Sequence, residues 1–205
     1  MPHPLASIDH HSDSVWGNDT ELVNGRRILL NASSGKGKST FAGTLFGLRR
    51  DYEGSVTFDG KDIRSLTPSE WSEIRAREIS AVFQDLQLFP KLTVAENLMI
   101  KNNLTKTFET EKLRTMLETV GIGEKWNQHC GLLSMGQQQR VAIIRALAQP
   151  YKWLILDEPF SHLDVENSKK ALDMIHQRTV EQGASFVLTT LGDSHGYEYD
   201  QELKL

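Results

Sequence analysis

Only one cysteine, Cys130, stands in 205 residues, so no intrachain disulfide forms and a reducing compartment is expected. Cys130 itself reads as a small core or loop residue rather than a nucleophile. Long apolar runs are missing as well. The longest, such as WLIL at 153–156, fall far short of the ~20 residues that cross a bilayer. The opening stretch MPHPLASIDHHSDS has no apolar core of the secretory-leader kind, so a cytosolic protein is expected, with any membrane role coming through a partner. A basic excess is also lacking: 23 Lys and Arg stand against 27 Asp and Glu, a net charge of −4. That balance advertises no nucleic-acid backbone as partner, and none is expected. Internal repeats and low-complexity linkers are absent. What remains is the composition of an ordinary folded domain, long enough for one sizeable core.

The apolar pattern alternates between strands and helices. RILLN (27–31) is a short strand candidate that runs into a glycine-rich loop, and STFAGTLFGL (39–48) continues as a helix. GSVTFDG (54–60), ISAVF (79–83), KWLILDEP (152–159) and ASFVLTT (184–190) read as further strands. TPSE at 67–70 and TVAE at 93–96 spell capping boxes, so helices open at both places. Leu113, Met116, Leu117 and Val120 keep helical spacing until Gly121 stops them. Further helices are expected over 136–149, ending before Pro150, and over about 165–182. Alternation of this sort predicts an α/β fold with a mainly parallel sheet flanked by helices. One domain is expected over residues 1–205, with a helix-rich side lobe at about 88–140 inserted in its core.

Four motifs carry chemistry. In NASSGKGKST (31–40) a strand leads through glycines into a helix, the context a phosphate loop requires. Backbone N–H groups of Ala32, Ser33, Ser34, Gly35, Lys36 and Gly37 make a concave anion site. Lys38 brings charge to the β and γ phosphates, Ser39 a hydroxyl to Mg²⁺, and Thr40 completes the run. Ala32 occupies the position where the pattern GxxxxGK[ST] begins with glycine. It is strained only if that position needs φ > 0, at a cost of roughly 1 kcal/mol. In WLILDEP, an apolar strand ends in Asp157 and Glu158. The first suits a water-mediated Mg²⁺ contact, and the second suits taking a proton from an attacking water. On its own, Asp-Glu-Pro is also a common solvated turn; downstream of a phosphate loop the catalytic reading gains. In LLSMGQQQR, Ser134 and Gln137 form a further capping box, whose helix start also exposes N–H groups to a phosphate. Gln84 follows a strand in FQDLQLFP, where its amide can reach a metal or water.

Together these residues resemble the nucleotide-binding subunit of ATP-binding cassette (ABC) transporters, over about residue 22 to the end. The resemblance makes SSGKGKST the Walker A motif of a P-loop NTPase, Gln84 the Q-loop, LSMGQ the family signature, LILDEP Walker B and SHLD (161–164) the D-loop. The Q-loop region looks most like the lipoprotein-releasing, macrolide-export and cell-division branch. What the resemblance implies is ATP and Mg²⁺ as ligands, with Ser39, Gln84 and Asp157 serving the metal and Glu158 as general base. It also implies an ATP-dependent head-to-tail homodimer in which Ser134, Gly136 and Gln137 cap the partner's γ-phosphate and Asp164 couples the sites. A separate integral membrane permease would hold the subunit on the inner face of the membrane.

Three departures accompany the resemblance. Met135 replaces a signature glycine. Leu191 falls where the family carries a switch histidine, with His195 nearby but out of register. No tyrosine precedes the loop to stack on adenine, which leaves Trp16 as a stand-in or simply a core residue. His10 and His11 are read as a terminus rather than a metal site. Two functions follow: an ATPase subunit that powers a permease, or an ATP-gated interaction module with little or no hydrolysis.

Overall fold

The computed structural model describes residues 1–5, 12–192 and 194–205; His10 and His11 lie outside them. Its central sheet runs in the spatial order β4 (Ile79–Val82), β5 (Trp153–Asp157), β6 (Ser185–Thr190), β1 (Arg27–Asn31) and β7 (Gln201–Lys204). Every pairing in it is parallel. Inner strands of such a sheet are covered on both faces, which is why β1, β5 and β6 read as continuous apolar runs. Successive side chains divide between the faces. Leu29, Leu154, Leu156, Phe186 and Leu188 join one core cluster. Ile28, Leu30 and Val187 join a second beneath Phe41, and Ile155 a third beside Ala42.

Helix α1 (Lys38–Leu45) covers the second face, while α5 (Met135–Leu147) and α6 (Val165–Glu181) belong to the first. Between β4 and β5 the chain is helical: α3 (Val94–Thr105) and α4 (Thr110–Thr119) lead to α5. The capping boxes form as spelled, at Thr67 before α2 (Pro68–Arg77), at Thr93 before α3 and at Ser134 before α5. Leu113, Met116 and Leu117 turn inward on α4, and Gly121 ends the run with φ 72°.

Two elements differ from expectation. Within GSVTFDG only β2 (Thr57–Phe58) is extended, paired antiparallel with β3 (Lys61–Asp62) apart from the main sheet. Asp59 at φ 48° and Gly60 at φ 77° explain it, since two left-handed residues in sequence make a tight hairpin turn. Strand β7 has no counterpart in the apolar pattern, because an edge strand needs only one covered face, and its residues alternate half-buried and exposed.

Register decides where the chemistry falls. Asp157 lies opposite Thr189, and Asn31 opposite Thr190. The carboxyl ends of β5, β6 and β1 are therefore level, and the crevice beyond them is where open α/β sheets bind ligands.

Candidate active site

The chain leaves β1 at Asn31, turns through the glycine-rich loop and enters α1 at Lys38. Gly35 and Gly37 are left-handed, at φ 80° and 100°. Ala32 is not among the positive-φ residues, so its methyl costs no backbone strain. Its N–H donates to the Thr190 carbonyl at 3.3 Å, which ties the loop to β6. Ser33, Ser34, Gly35 and Ser39 are exposed; Lys36, Gly37 and Thr40 are half-buried. The Lys38 side chain folds back into its own loop. Its ammonium donates to the carbonyls of Ala32 at 2.9 Å and Ser33 at 3.2 Å, and lies 3.2 Å from Glu158 Oε1. First-turn amides of α1 have no intrahelical acceptors and add to the donors available to an anion.

The two carboxylates at the end of β5 are held by one hydroxyl. Thr189 Oγ1 donates to Asp157 Oδ1 at 2.8 Å and accepts the Glu158 N–H at 3.2 Å. Asp157 is only 1% exposed. Glu158 has φ 50°, a left-handed conformation that costs roughly 1 kcal/mol or more for a residue with a Cβ. That turn directs the residue away from the strand line at the sheet edge. Ser39 Oγ donates to Gln84 Oε1 at 3.4 Å, so the loop hydroxyl and the Q-loop amide meet. The hydroxyl, amide oxygen and carboxylate of Ser39, Gln84 and Asp157 are all hard oxygen donors, which suits Mg²⁺.

Ser134, Gly136 and Gln137 form a separate group at the start of α5. Ser134 Oγ accepts the Gln137 N–H at 3.3 Å, and Gln137 Oε1 accepts the Ser134 N–H at 3.0 Å. A Cβ on Gly136 would fall 2.7 Å from the His162 carbonyl oxygen, so that position must be glycine. Met135, between Ser134 and Gly136, is 47% exposed. Asp164 caps α6 by accepting the Asn167 N–H at 2.8 Å.

Sequence reasoning passed over two residues of this region. Gln139 Nε2 donates to the Glu158 carbonyl at 3.2 Å and to Ser161 Oγ at 3.1 Å, while its Oε1 accepts the His162 N–H at 3.0 Å. It thereby joins α5 to the loop after Glu158. The signal was available: Gln139 is a polar residue on the face shared by Ala142, Ile143 and Ala146, all buried. Thr189 gives no such signal, because threonine is ordinary in a strand.

Leu191 follows β6 directly and is 60% exposed. His195 rests its ring edge-on against Phe160 at 4.9 Å. Both border the cavity of about 550 Å³ that Glu158 also lines. Trp16 packs edge-on against Phe41 at 5.9 Å and donates its indole N–H to the Lys36 carbonyl at 3.3 Å. Cys130 is buried, and that burial pushes its thiol up to about 11.

A glycine-rich loop between a parallel strand and a helix, with a carboxylate pair at the end of a strand in the same sheet, defines a P-loop NTPase. The sequence profile of ABC transporters matches residues 17–161. The chain belongs to the ABC transporter family, as an ATP-binding domain. A macrolide export ATP-binding/permease protein (MacB) of Rhodopirellula baltica is 31% identical over 96% of this chain and 30% of its own length. The lipoprotein-releasing system ATP-binding protein LolD of Shewanella frigidimarina is 30% identical over 92% of this chain and 80% of its own. The chain spans about a third or less of the MacB relatives it matches, 30% of one and 24% of another. A dimeric bacterial ABC transporter cassette superimposes with a TM-score of 0.80 at 27% identity, covering 90% of this chain and 84% of that one.

Proposed function

We propose that this chain binds and hydrolyses ATP to power a separate membrane permease. The Lys38–Glu158 pair at 3.2 Å carries the reading, since it puts a phosphate-binding ammonium and a general base at one point. ATP phosphates replace Glu158 and the two loop carbonyls as partners of Lys38. Freed of the ammonium, Glu158 accepts a proton from water as the water oxygen attacks the γ-phosphorus and the bond to ADP oxygen breaks. Ser39, Gln84 and Asp157 would hold Mg²⁺, which would supply charge neutralisation to the phosphates. Backbone amides of the loop from Ala32 to Thr40 bind and orient the phosphate chain.

In the same reading residues 1–205 are one domain, with the helical lobe at about 88–140 transmitting motion to the permease. No helix among the described residues is long and apolar enough to cross a membrane, so the permease would anchor the subunit at the inner membrane face. A second copy completes the site. Ser134, Gly136 and Gln137, grouped at the start of α5, cap the γ-phosphate of the partner head to tail, and Asp164 couples the two sites. Leu191 offers no hydrogen bond at the switch position, so turnover is slow. That same leucine favours the second reading, an ATP-gated module with little hydrolysis.

Light scattering on Glu158→Gln tests the assembly. With Mg-ATP the mass doubles, because ligand and interface stabilise each other, and Ser134→Arg abolishes the doubling. An unchanged mass in Glu158→Gln overturns the shared site.

A further inference from the structure

The chain's own first residues lie against the phosphate loop. The Glu53 N–H donates to the Met1 carbonyl at 2.9 Å and the His3 N–H to the Asp51 carbonyl at 2.9 Å, while Pro2 and Tyr52 form an antiparallel bridge. Residues 3–5 then make one short turn, His3–Leu5, which leaves Leu5 only 5% exposed. Its side chain reaches the phosphate loop. A Cβ built on Gly37 would fall 2.5 Å from Leu5 Cδ1, 3.3 Å from Leu5 Cδ2 and 3.4 Å from Trp16 Nε1. Trp16 supports it from the side, through its bond to the Lys36 carbonyl at 3.3 Å.

Gly37 is where this loop has to be bare. Its φ of 100° excludes side chains, and a phosphate loop uses such glycines to bring backbone amides up to phosphate oxygens. An isobutyl group in the space beside it donates nothing to an anion and takes room that a phosphate chain laid along Gly37 would need.

We propose that Met1–Leu5 is an autoinhibitory strap: Leu5 competes with the nucleotide for the Gly37 side of the phosphate loop. The proposal rests on the reading that this loop takes Mg-ATP. Held by backbone bonds to residues 51–53 and by two buried residues, Pro2 and Leu5, the strap is a short terminal segment of the kind that opens below the cost of global unfolding. Its closed population lowers the apparent affinity for nucleotide in proportion to the open fraction. The strap thus sets the nucleotide concentration at which the subunit engages.

The test uses the full chain, with a non-hydrolysable ATP analogue and Mg²⁺ as probe. Calorimetry on Leu5→Ser should give binding about 3- to 10-fold tighter than wild type, since serine removes the apolar group that stands beside Gly37. Amide exchange in wild type keeps the test independent of how well the variant folds. The His3 and Glu53 amides should be protected without the analogue and exchange faster when it saturates the protein. Equal or weaker binding by Leu5→Ser, or unchanged or greater protection of these amides with the analogue, overturns the strap and makes Leu5 a fixed wall of the site. Failure of both proteins to bind at millimolar analogue overturns the ATP reading itself, and the strap with it.

Discussion

Lys38 and Glu158 pair across 3.2 Å, the first 5% and the second 15% exposed. One belongs to the loop after β1 and the other to the end of β5, so the pair closes the crevice with its two principal charges cancelling each other. A buried ammonium needs such partners, because leaving it unpaired is expensive. In the proposed function the same need makes the pair exchangeable: phosphates would displace the carboxylate from Lys38, and the carboxylate would then be free to act as a base.

Glu158→Gln should therefore bind Mg-ATP more tightly than wild type, by about 3- to 10-fold, because a neutral amide competes less strongly for Lys38. Titration calorimetry reads it. Equal or weaker binding would show that the pair does not hold the site closed.

Thr189→Val tests the hydroxyl that serves both carboxylates. The change keeps the β-branched shape and removes the donor to Asp157 Oδ1 and the acceptor of the Glu158 N–H. Leaving a buried carboxylate and amide short of partners should cost about 1–3 kcal/mol in chemical denaturation. Hydrolysis should fall by roughly tenfold as Glu158 loses its anchor. Unchanged stability and rate would make Thr189 ordinary strand filling.

These two residues mark how far the sequence could be read. That Lys38 and Glu158 come together is legible because each sits in a short motif at the end of an apolar strand. The strands carrying them were legible as apolar runs, since burial on both faces forces that composition. Thr189 was not, because its role depends on register with Asp157 across β5 and β6, and register is absent from a single strand's pattern. Strand β7 was missed for a related reason: QELK has the polar look of a loop. Leu5 was missed because its partner, Gly37, is distant in sequence and offers no side chain to match.

Leu191→His bears on turnover. In the proposed function Glu158 is the base, but leucine places no hydrogen bond on phosphate or water. A new imidazole should raise phosphate release, though by less than the loss in Glu158→Gln, because it also needs support to be oriented. A rate at or below wild type would place the function of the switch elsewhere, His195 being the next residue to vary.

Acid stability should depend on Asp200. Arg27 donates to its carboxylate at 2.6 and 2.7 Å, and the Arg27 backbone N–H adds a third bond at 2.8 Å. The guanidinium's hydrogen bonds, the largest cause, hold Asp200 well below the usual carboxylate range. A carboxylate lowered on folding stabilises above its unfolded value of ~4, and that contribution fades as pH falls through the folded value. Asp200→Asn should thus lose about 1 kcal/mol at pH 7, and the gap to wild type should narrow below pH ~4. A difference that stays constant down to pH ~2 would mean that the pair acts through packing alone.

Phosphate release at saturating Mg-ATP, wild type against Glu158→Gln, tests the central claim most directly. Positioned general bases contribute roughly 10²–10⁴ in rate, so wild type should turn over slowly but measurably, and the variant should fall to background. If wild type shows no turnover above Glu158→Gln, even with a membrane partner present, the account of this subunit as a motor is contradicted.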